Sequence, residues 1–294
     1  MGAVTSVHSQ GSCGACWAIT AVETIESANY IKTGQLLDLS ETEVIACDDS
    51  CIMCDGGWPQ NAYEYVSKYN GLPLENTLQY DDEFLYMLSQ VTTGQSDALT
   101  ENEVDNYLST VCPAGGQSGS HSGSQDNVDY DDSTPRYGAV KGYAYATDRC
   151  VCYEDGTGCD CDEQNEILAV RNVASYGPAT VCLEASTWQD YSGGIITADS
   201  GCSQQFLNMN HCVQVVGYAY YDVDDEDGDN QQQEQQNSKS GSGSKDEKDN
   251  QQREGYWIVR NQWSDYWGMY GYAYVAMGAN TCGILNDITQ VFME

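Results

Sequence analysis

Residues 10–17 read Gln10-Gly11-Ser12-Cys13-Gly14-Ala15-Cys16-Trp17, and a helix is predicted to follow. Apolar side chains recur with helical spacing between residues 12 and 33, which indicates a buried helix that ends at Thr33-Gly34. A cysteine at the start of a helix meets the positive end of the helix dipole and free N–H groups, which stabilise a thiolate. Cys16 is therefore the candidate nucleophile. A redox disulfide between Cys13 and Cys16 is the alternative, because their spacing is Cys-x-x-Cys.

Two more helices are predicted in the first third of the chain. Ser40-Glu41-Thr42-Glu43 matches a capping box and opens a short helix through Ile45. Pro59 starts the next helix, which Asn70-Gly71 ends.

The second half of the chain has a different pattern. A short helix is predicted around residues 167–173 and ends at Gly177-Pro178. Runs rich in Val, Tyr and Ile then predict strands at 179–183, 212–221, 256–261 and 271–277. Helices that precede strands in this way indicate an α+β fold with two lobes.

Composition excludes several classes of protein. The chain has 294 residues with 11 Lys+Arg against 45 Asp+Glu, and a net charge of −34 argues against nucleic-acid binding. It contains no apolar run of about 18 residues, so a membrane-spanning helix is not expected. Fourteen cysteines indicate an oxidising compartment. No secretory signal follows Met1, and we therefore expect a leader and a pro-segment upstream of this sequence.

Two segments have the composition of insertions. Residues 81–134 include a run of Gly, Ser, Asp and Gln, and residues 222–255 are acidic and then rich in Gln, Ser and Gly. The second segment lacks apolar residues to bury, which predicts a disordered surface loop. A partner-binding role for this loop is the alternative.

A nucleophilic thiol needs a base, and the chain has three histidines. His8 precedes the first helix and His121 lies in a Gly/Ser-rich stretch, whereas His211 stands in Asn210-His211-Cys212-Val213, within the strand-rich second half. Asn261 has the residue type that holds an imidazole ring in its plane, and Trp263 follows it closely. The predicted triad is Cys16, His211 and Asn261.

In combination, these motifs resemble those of the papain-like cysteine peptidases. The resemblance implies that Gln10 contributes to the oxyanion hole, that Trp263 shields the triad and that Trp267 forms the leaving-group side of the cleft. His211 and Asn261 follow Cys16 by 211 − 16 = 195 and 261 − 16 = 245 positions. The family spacing is about 130–150 residues. The two insertions account for the surplus.

The resemblance also implies the architecture. We expect one peptidase domain over residues 1–294, with a helical lobe at about 1–112 and a β-rich lobe at about 135–294. The active-site cleft lies between the lobes, with Cys16 on the first lobe and His211 and Asn261 on the second.

Substrate-binding positions follow from the same resemblance. Gly56 and Gly57 leave their backbone open to an extended peptide. The pocket for the second residue before the scissile bond is lined by Trp58, Pro59, Cys182, Met209 and Cys212, and Asn210 is a further substrate-binding position. Asp287, five positions after Cys282, matches the pocket floor and predicts acceptance of Arg or Lys as well as apolar side chains. The alternative is that Asp287 turns to solvent or pairs with a protein cation.

Three disulfides are implied by the resemblance: Cys13–Cys54, Cys47–Cys112 and Cys202–Cys282. Besides Cys16, seven cysteines remain: Cys51, Cys150, Cys152, Cys159, Cys161, Cys182 and Cys212. Seven is odd, so at least one more is free or pairs between chains. The Cys-x-Cys pairs at 150–152 and 159–161 allow a zinc cluster, although disulfides are favoured.

The functional prediction is a cysteine endopeptidase that needs no metal or cofactor. An exopeptidase, an acyl-transferase with the same triad and a catalytically silent homologue are the alternatives. The resemblance implies peptide or protein substrates, a pro-segment, cystatin-like inhibitors and a monomer. The acidic, cysteine-rich composition indicates a lysosomal, vacuolar or secreted location, and a high-salt habitat would give a similar surface.

Overall fold

A computed structural model describes residues 2–113, 133–161, 164–222 and 253–294. His121 and most of the acidic segment at 222–255 lie outside these residues, so the predictions made for them stay predictions. Among the helices described, none is long and apolar enough to cross a membrane.

Five helices form the first part of the chain. Helix α1 is central, because its apolar residues Trp17, Ala21 and Ile25 are fully buried. The first helix lies where the spacing predicts it. The bounds are α1 Cys16–Thr33, α2 Glu41–Cys47, α3 Pro59–Lys68, α4 Asp82–Thr92 and α5 Glu101–Val111.

The predicted capping box at the start of α2 is wrong. The Ser40 hydroxyl donates instead to the Leu78 carbonyl at 2.7 Å. Glu43 is fully buried and accepts two hydrogen bonds from the Arg136 guanidinium. The partly exposed Arg136 and the Leu78 carbonyl therefore bind the two side chains that the capping box would use.

The segment at 81–134 is largely helical where it is described. Helices α4 and α5 bury Leu85, Leu88 and Val104. The capping box that α2 lacks is present at the start of α5, between Thr100 and Glu103. This part of the predicted insertion thus packs against the helical core.

The second part of the chain supplies helix α6 and most of a seven-stranded sheet of order β1-β9-β4-β6-β7-β8-β5. The helix covers Glu166–Tyr176 and ends at Gly177. The strands of this sheet are β1 Val140–Tyr145, β4 Ala179–Leu183, β5 Ile195–Ile196, β6 His211–Asp222, β7 Arg253–Arg260, β8 Tyr272–Ala276 and β9 Asp287–Met293. Strands β2 Val151–Cys152 and β3 Cys159–Asp160 form a separate hairpin. The predicted α+β class is confirmed.

Two apolar cores are separated by a polar seam. One core surrounds α1, and the other lies between the sheet and α6. At the seam, Thr180 on β4 shares hydrogen bonds with Thr24 on α1 at 2.8 Å and with Tyr63 on α3 at 2.7 Å. The first turn of α1 and the start of β6 consequently reach the same cleft.

Six disulfides account for twelve cysteines and leave free thiols at Cys16 and Cys51. The pairs are Cys13–Cys54, Cys47–Cys112, Cys150–Cys161, Cys152–Cys159, Cys182–Cys212 and Cys202–Cys282. The four cysteines that allowed a zinc cluster are therefore paired with one another. Cys182 and Cys212, expected as separate pocket walls, form a single disulfide.

Candidate active site

The Cys16 thiol lies at the first residue of α1 and is half-buried. Burial raises the pKa of this thiol, and hydrogen bonds from the backbone N–H groups of Cys212, Trp17 and Cys16 act in the opposite direction. The backbone just before α1 packs closely against the backbone of Cys54. A Cβ atom added at Gly14 would lie 2.3 Å from the Cys54 carbonyl oxygen, so glycine is required there.

His211 begins β6 and is paired in register with Leu183 on β4. Its Nε2 lies 2.7 Å from Asn261 Oδ1. Because an amide oxygen only accepts, this contact assigns the proton to Nε2 and leaves Nδ1 as the basic nitrogen. Burial lowers the pKa of His211 to about 4, against the opposing effect of the Asn261 hydrogen bond.

Asn261 is held rigidly behind the imidazole. It is fully buried directly after β7, and its Oδ1 also accepts from the backbone N–H of Gln262 at 2.9 Å. The indole of Trp263 stacks on the His211 ring with centroids 4.8 Å apart. The carbonyl therefore fixes the plane of the imidazole, and the indole covers one face of it.

Gln10 lines the same cleft as Cys16. Its backbone N–H donates to the Gln262 carbonyl at 2.9 Å, and its Nε2 donates to the Cys13 carbonyl at 3.0 Å. A side-chain amide has two N–H donors, so a second one is left for an oxygen bound in the cleft.

A cleft of about 590 Å³ joins these groups. Its lining includes Gln10, Cys16, His211 and Trp263, together with the predicted substrate positions Gly56, Gly57, Trp58, Cys182, Met209, Asn210 and Cys212. Asn261 holds His211 from behind without lining the cleft.

The two glycines of the cleft have a physical reason. Gly56 has a φ of 117°, a region that side chains disfavour. A Cβ atom on Gly57 would lie 2.6 Å from both Trp17 and Cys51. Only glycine fits at either position, and the backbone at the edge of the cleft is left uncovered.

Three predicted positions lie outside this cleft. Pro59 is buried at the first residue of α3. Trp267 lies edge-to-face behind Trp263 at 5.2 Å and donates its indole N–H to the Trp188 carbonyl. Trp267 therefore supports Trp263, and it does not form a wall of the cleft as expected.

Asp287 is the third such position. It lines a neighbouring cavity, which shares Trp58 with the cleft. The carboxylate is nearly buried and accepts a hydrogen bond from Gln60 Nε2 at 2.6 Å. Burial raises the pKa of Asp287 to about 6, although the Gln60 hydrogen bond and the Arg149 charge lower it. Asp287 as a pocket floor stays a prediction; the alternative of a solvent-facing carboxylate is wrong, and none of the expectations included this amide partner.

Sequence reasoning missed one wall of the cleft. Ala185, Ser186 and Gln189 line it from the loop that follows β4. Asn210 shapes this loop, because its side chain accepts from the Ala185 N–H and donates to the Ser186 hydroxyl. Only the position of these residues directly after a predicted strand could have indicated their role.

A buried charge cluster lies next to Asn261, because Arg260 and Gln262 on either side of it both contact Glu23. Arg260 pairs with Glu23 at 3.2 Å, and both side chains are fully buried. Gln262, next to Asn261, donates to Glu23 at 3.4 Å. His8, which the sequence left without a role, contacts Glu41 at 2.7 Å. Burial lowers the pKa of His8, but the hydrogen bond and charge of Glu41 raise it to about 10.

Comparisons with known proteins show the family to which the chain belongs. A family model described as papain family cysteine protease matches residues 1–292. Human cathepsin O is 30% identical over 291 residues, which cover 99% of this chain and 63% of that protein. Fruit bromelain from Ananas comosus is 28% identical, over 96% of this chain and 56% of that protein. The chain thus spans about three fifths of the length of these relatives.

Solved structures show the same fold. The bromelain protease from Ananas comosus in complex with the E64 inhibitor matches with a TM-score of 0.60 and 24% identity, over 100% of this chain and 95% of that one. Digestive procathepsin L 3 of Tenebrio molitor matches with a TM-score of 0.62 and 24% identity, over 99% and 67%.

Proposed function

Because this chain belongs to the papain family of cysteine proteases, we propose that it hydrolyses peptide bonds as an endopeptidase through Cys16, His211 and Asn261. The observation that carries the proposal is the convergence in one cleft of a free thiol at a helix start and an imidazole held by an amide oxygen.

The reaction begins with transfer of the thiol proton of Cys16 to Nδ1 of His211. The thiolate attacks the carbonyl carbon of the peptide, and the oxygen that becomes negative accepts hydrogen bonds from Gln10 Nε2 and the Cys16 N–H. His211 then donates its Nδ1 proton to the departing amine, which leaves a thioester on Cys16. Water, deprotonated by His211, attacks the thioester and releases the acid and the free thiol.

Burial works against formation of the ion pair. It raises the pKa of Cys16 and lowers that of His211, so each charge alone is disfavoured. Two opposite unit charges about 4 Å apart attract each other by about 4 kcal/mol at an effective dielectric constant of about 20. The dipole of α1 adds up to about 1 kcal/mol for an anion at its start. These two effects oppose the cost of burial and stabilise the thiolate–imidazolium pair that forms when the proton moves from Cys16 to His211.

Substrate would lie extended along the uncovered backbone of Gly56 and Gly57, as an added strand. The side chain of the second residue before the scissile bond would contact Trp58, Met209 and the Cys182–Cys212 disulfide, all of which line the cleft. These contacts are largely apolar, which favours a bulky apolar residue.

The proposal extends to the protein's surroundings. Six disulfides fit an oxidising compartment, such as a lysosome, a vacuole or the extracellular space. A pro-segment upstream is supported by the similarity to a procathepsin structure. We further infer a monomeric enzyme that cystatin-like inhibitors block at the cleft.

A comparison of the two free thiols tests the proposal. Cys16→Ala is expected to abolish hydrolysis of an unstructured protein substrate, whereas Cys51→Ala should keep it, because Cys51 lies outside the cleft lining. Product peptides are counted by mass spectrometry, and circular dichroism checks the fold of both variants. Hydrolysis that survives Cys16→Ala would refute the mechanism.

A further inference from the structure

The cavity next to the cleft has a volume of about 600 Å³ and two kinds of wall. On the cleft side, Trp58 stacks on Phe206 with ring centroids 6.1 Å apart. Opposite are Tyr143 and Tyr145 of β1 and the first residues of the β2–β3 hairpin. Because Trp58 lines both spaces, this cavity directly adjoins the cleft.

The hairpin that forms one wall is fixed in place. The disulfides Cys150–Cys161 and Cys152–Cys159 join its two strands at adjacent levels. Tyr153 also donates its backbone N–H to the Gly158 carbonyl at 2.9 Å. Two crosslinks within twelve residues restrict the motion of this segment, so residues at its base keep a constant position relative to the cavity.

Arg149 lies at that base, immediately before the first crosslinked cysteine. It lines the cavity, its side chain is exposed, and its guanidinium lies 5.5 Å from the centroid of the Tyr145 ring. Its positive charge acts on Asp287, the carboxyl group of the same cavity. The cavity therefore holds one accessible cation and one nearly buried acid.

The other titratable groups near Asp287 are uncharged tyrosines at neutral pH, or they contact a residue other than Asp287. Tyr143 and Tyr145 face it from β1 and are neutral below pH 9. Glu64 on α3 is exposed and accepts from the Tyr143 hydroxyl at 3.4 Å. Gln60 supplies the direct partner of Asp287 and carries no charge. Arg149 and Asp287 thus set the charge of the cavity.

We propose that Arg149 makes this cavity a selective side-chain subsite, which accepts acidic and neutral residues of a peptide and rejects basic ones. The inference rests on the proposed peptidase function for its biological meaning. It reverses the selectivity that a carboxyl floor alone would give, because the exposed charge at the cavity is the guanidinium of Arg149, whereas the carboxyl group of Asp287 is buried.

The selectivity should depend on pH. The pKa of Asp287 is raised to about 6, so at pH 5 its carboxyl group is mostly neutral and the charge of Arg149 is uncompensated. A glutamate side chain of the peptide is already ionised at pH 5. At pH 7.5 Asp287 is ionised and offsets Arg149. Preference for Glu over Arg is therefore greatest at acid pH and decreases as the pH rises through about 6.

Peptide binding to Cys16→Ala tests the subsite without hydrolysis. We would use acetylated glycine peptides that carry one central residue, Glu, Leu or Arg, so that only this residue can fill a side-chain cavity. Calorimetry at about 0.15 M salt should give a Kd for the Arg peptide about tenfold above that for the Glu peptide at pH 5. The ratio should approach one at pH 7.5.

Variants of Arg149 give the decisive comparison. In the Cys16→Ala background, Arg149→Gln should bring the ratio at pH 5 to about one or below, and Arg149→Lys should preserve it. Arg171→Gln on α6 is the matched control, because it removes the same charge from an exposed side chain outside this cavity. A ratio that Arg149→Gln and Arg171→Gln change equally, or a wild-type preference for Arg at pH 5, would overturn the inference.

The outcome is separate from that of the proposed function. Hydrolysis of the same peptides and of a protein substrate by the chain with Cys16 intact reports the peptidase activity. If hydrolysis is absent but the Arg149-dependent ratio is found, the subsite exists and the peptidase proposal fails.

Discussion

At the scale of single residues, the surroundings of His211 favour the neutral imidazole, which can act as a base, over the protonated imidazolium. The ring is buried, and its Nε2 proton is bound by the uncharged amide of Asn261. A thiol proton can therefore move to Nδ1 only when the imidazole is neutral. The amide of Asn261 orients the ring without adding a negative charge that would stabilise the free imidazolium.

This environment predicts an acid limit for activity. The pKa of His211 is lowered to about 4, so kcat/KM should fall as the pH decreases through about 4, where the ring is protonated before it can accept the proton of Cys16. His211→Ala should lower kcat by about 1,000-fold or more. Asn261→Ala should be milder, at about 10- to 100-fold, and should move the acid limit, because it orients the ring and does not itself react.

Initial rates between pH 3 and 8 with a fluorogenic peptide measure this limit. Asn172→Ala, at a residue outside the cleft, is the control for amide loss. An acid limb at pH 6 or above, or an Asn261→Ala profile identical to that of wild type, would contradict the account.

At the scale of elements, the N-terminal segment is held by buried acids. Glu26 on α1 accepts from Thr5 at 2.6 Å and from the Leu39 N–H at 2.8 Å. Arg260 on β7 pairs with Glu23 from the same helix. Gln10, at the end of this segment, reaches the active site, so the cluster also positions the oxyanion donor.

The cluster predicts lower stability at alkaline pH. Burial, the largest cause, raises the pKa of Glu23 to about 7 and that of Glu26 to about 8, from 4.5. When the folded pKa is the higher one, the contribution to stability is complete below about pH 4.5 and decreases as the pH rises through the folded value. His8, raised from 6.5 to about 10, changes stability in the same direction. The free energy of unfolding should therefore be larger at pH 5 than at pH 8.

Urea unfolding at both pH values measures this difference. Glu26→Gln keeps the shape of the side chain and should reduce the difference between pH 5 and pH 8, whereas Glu101→Gln, an exposed change on α5, should leave it unchanged. Equal stability of the wild type at the two pH values would contradict the role of the cluster.

Helices and strands with a regular spacing of apolar residues could be predicted from the sequence, and others could not. Helix α1 and strand β4 lie where the apolar pattern placed them. Strand β9 was missed because five consecutive residues from Asp287 to Val291 are buried and three of them are polar, which hides the alternation. The capping box of α2 failed because its residues bond to Leu78 and Arg136, which lie far away in the sequence.

The residues of the candidate site also fall into two groups: those that local motifs indicate, and those that only the fold brings together. Cys16, His211, Gln10 and Trp263, which the motifs singled out, line one cleft, and their catalytic roles stay predictions. Asp287 is bound by Gln60 and its pKa is affected by the charge of Arg149, and no local pattern links these three residues. Cavity walls built from separate elements thus need the structure.

At the scale of the whole molecule, the two lobes meet along polar contacts and present a single thiol to the cleft. The other free thiol, Cys51, has a pKa that burial raises to about 11, and hence stays protonated near neutral pH. Both thiols belong to one chain with a net charge of −34, and of the two only Cys16 lines the cleft with His211. Any difference in their reactivity must arise from the local site.

The most direct measurement is therefore titration of the chain, in its active form, with an epoxysuccinyl peptide that alkylates thiolates. We predict that one equivalent abolishes peptide hydrolysis at pH 5.5, and that peptide mapping finds the adduct on Cys16 and not on Cys51. Retention of hydrolysis after complete alkylation of Cys16, or loss of hydrolysis with the adduct on Cys51, would contradict the account.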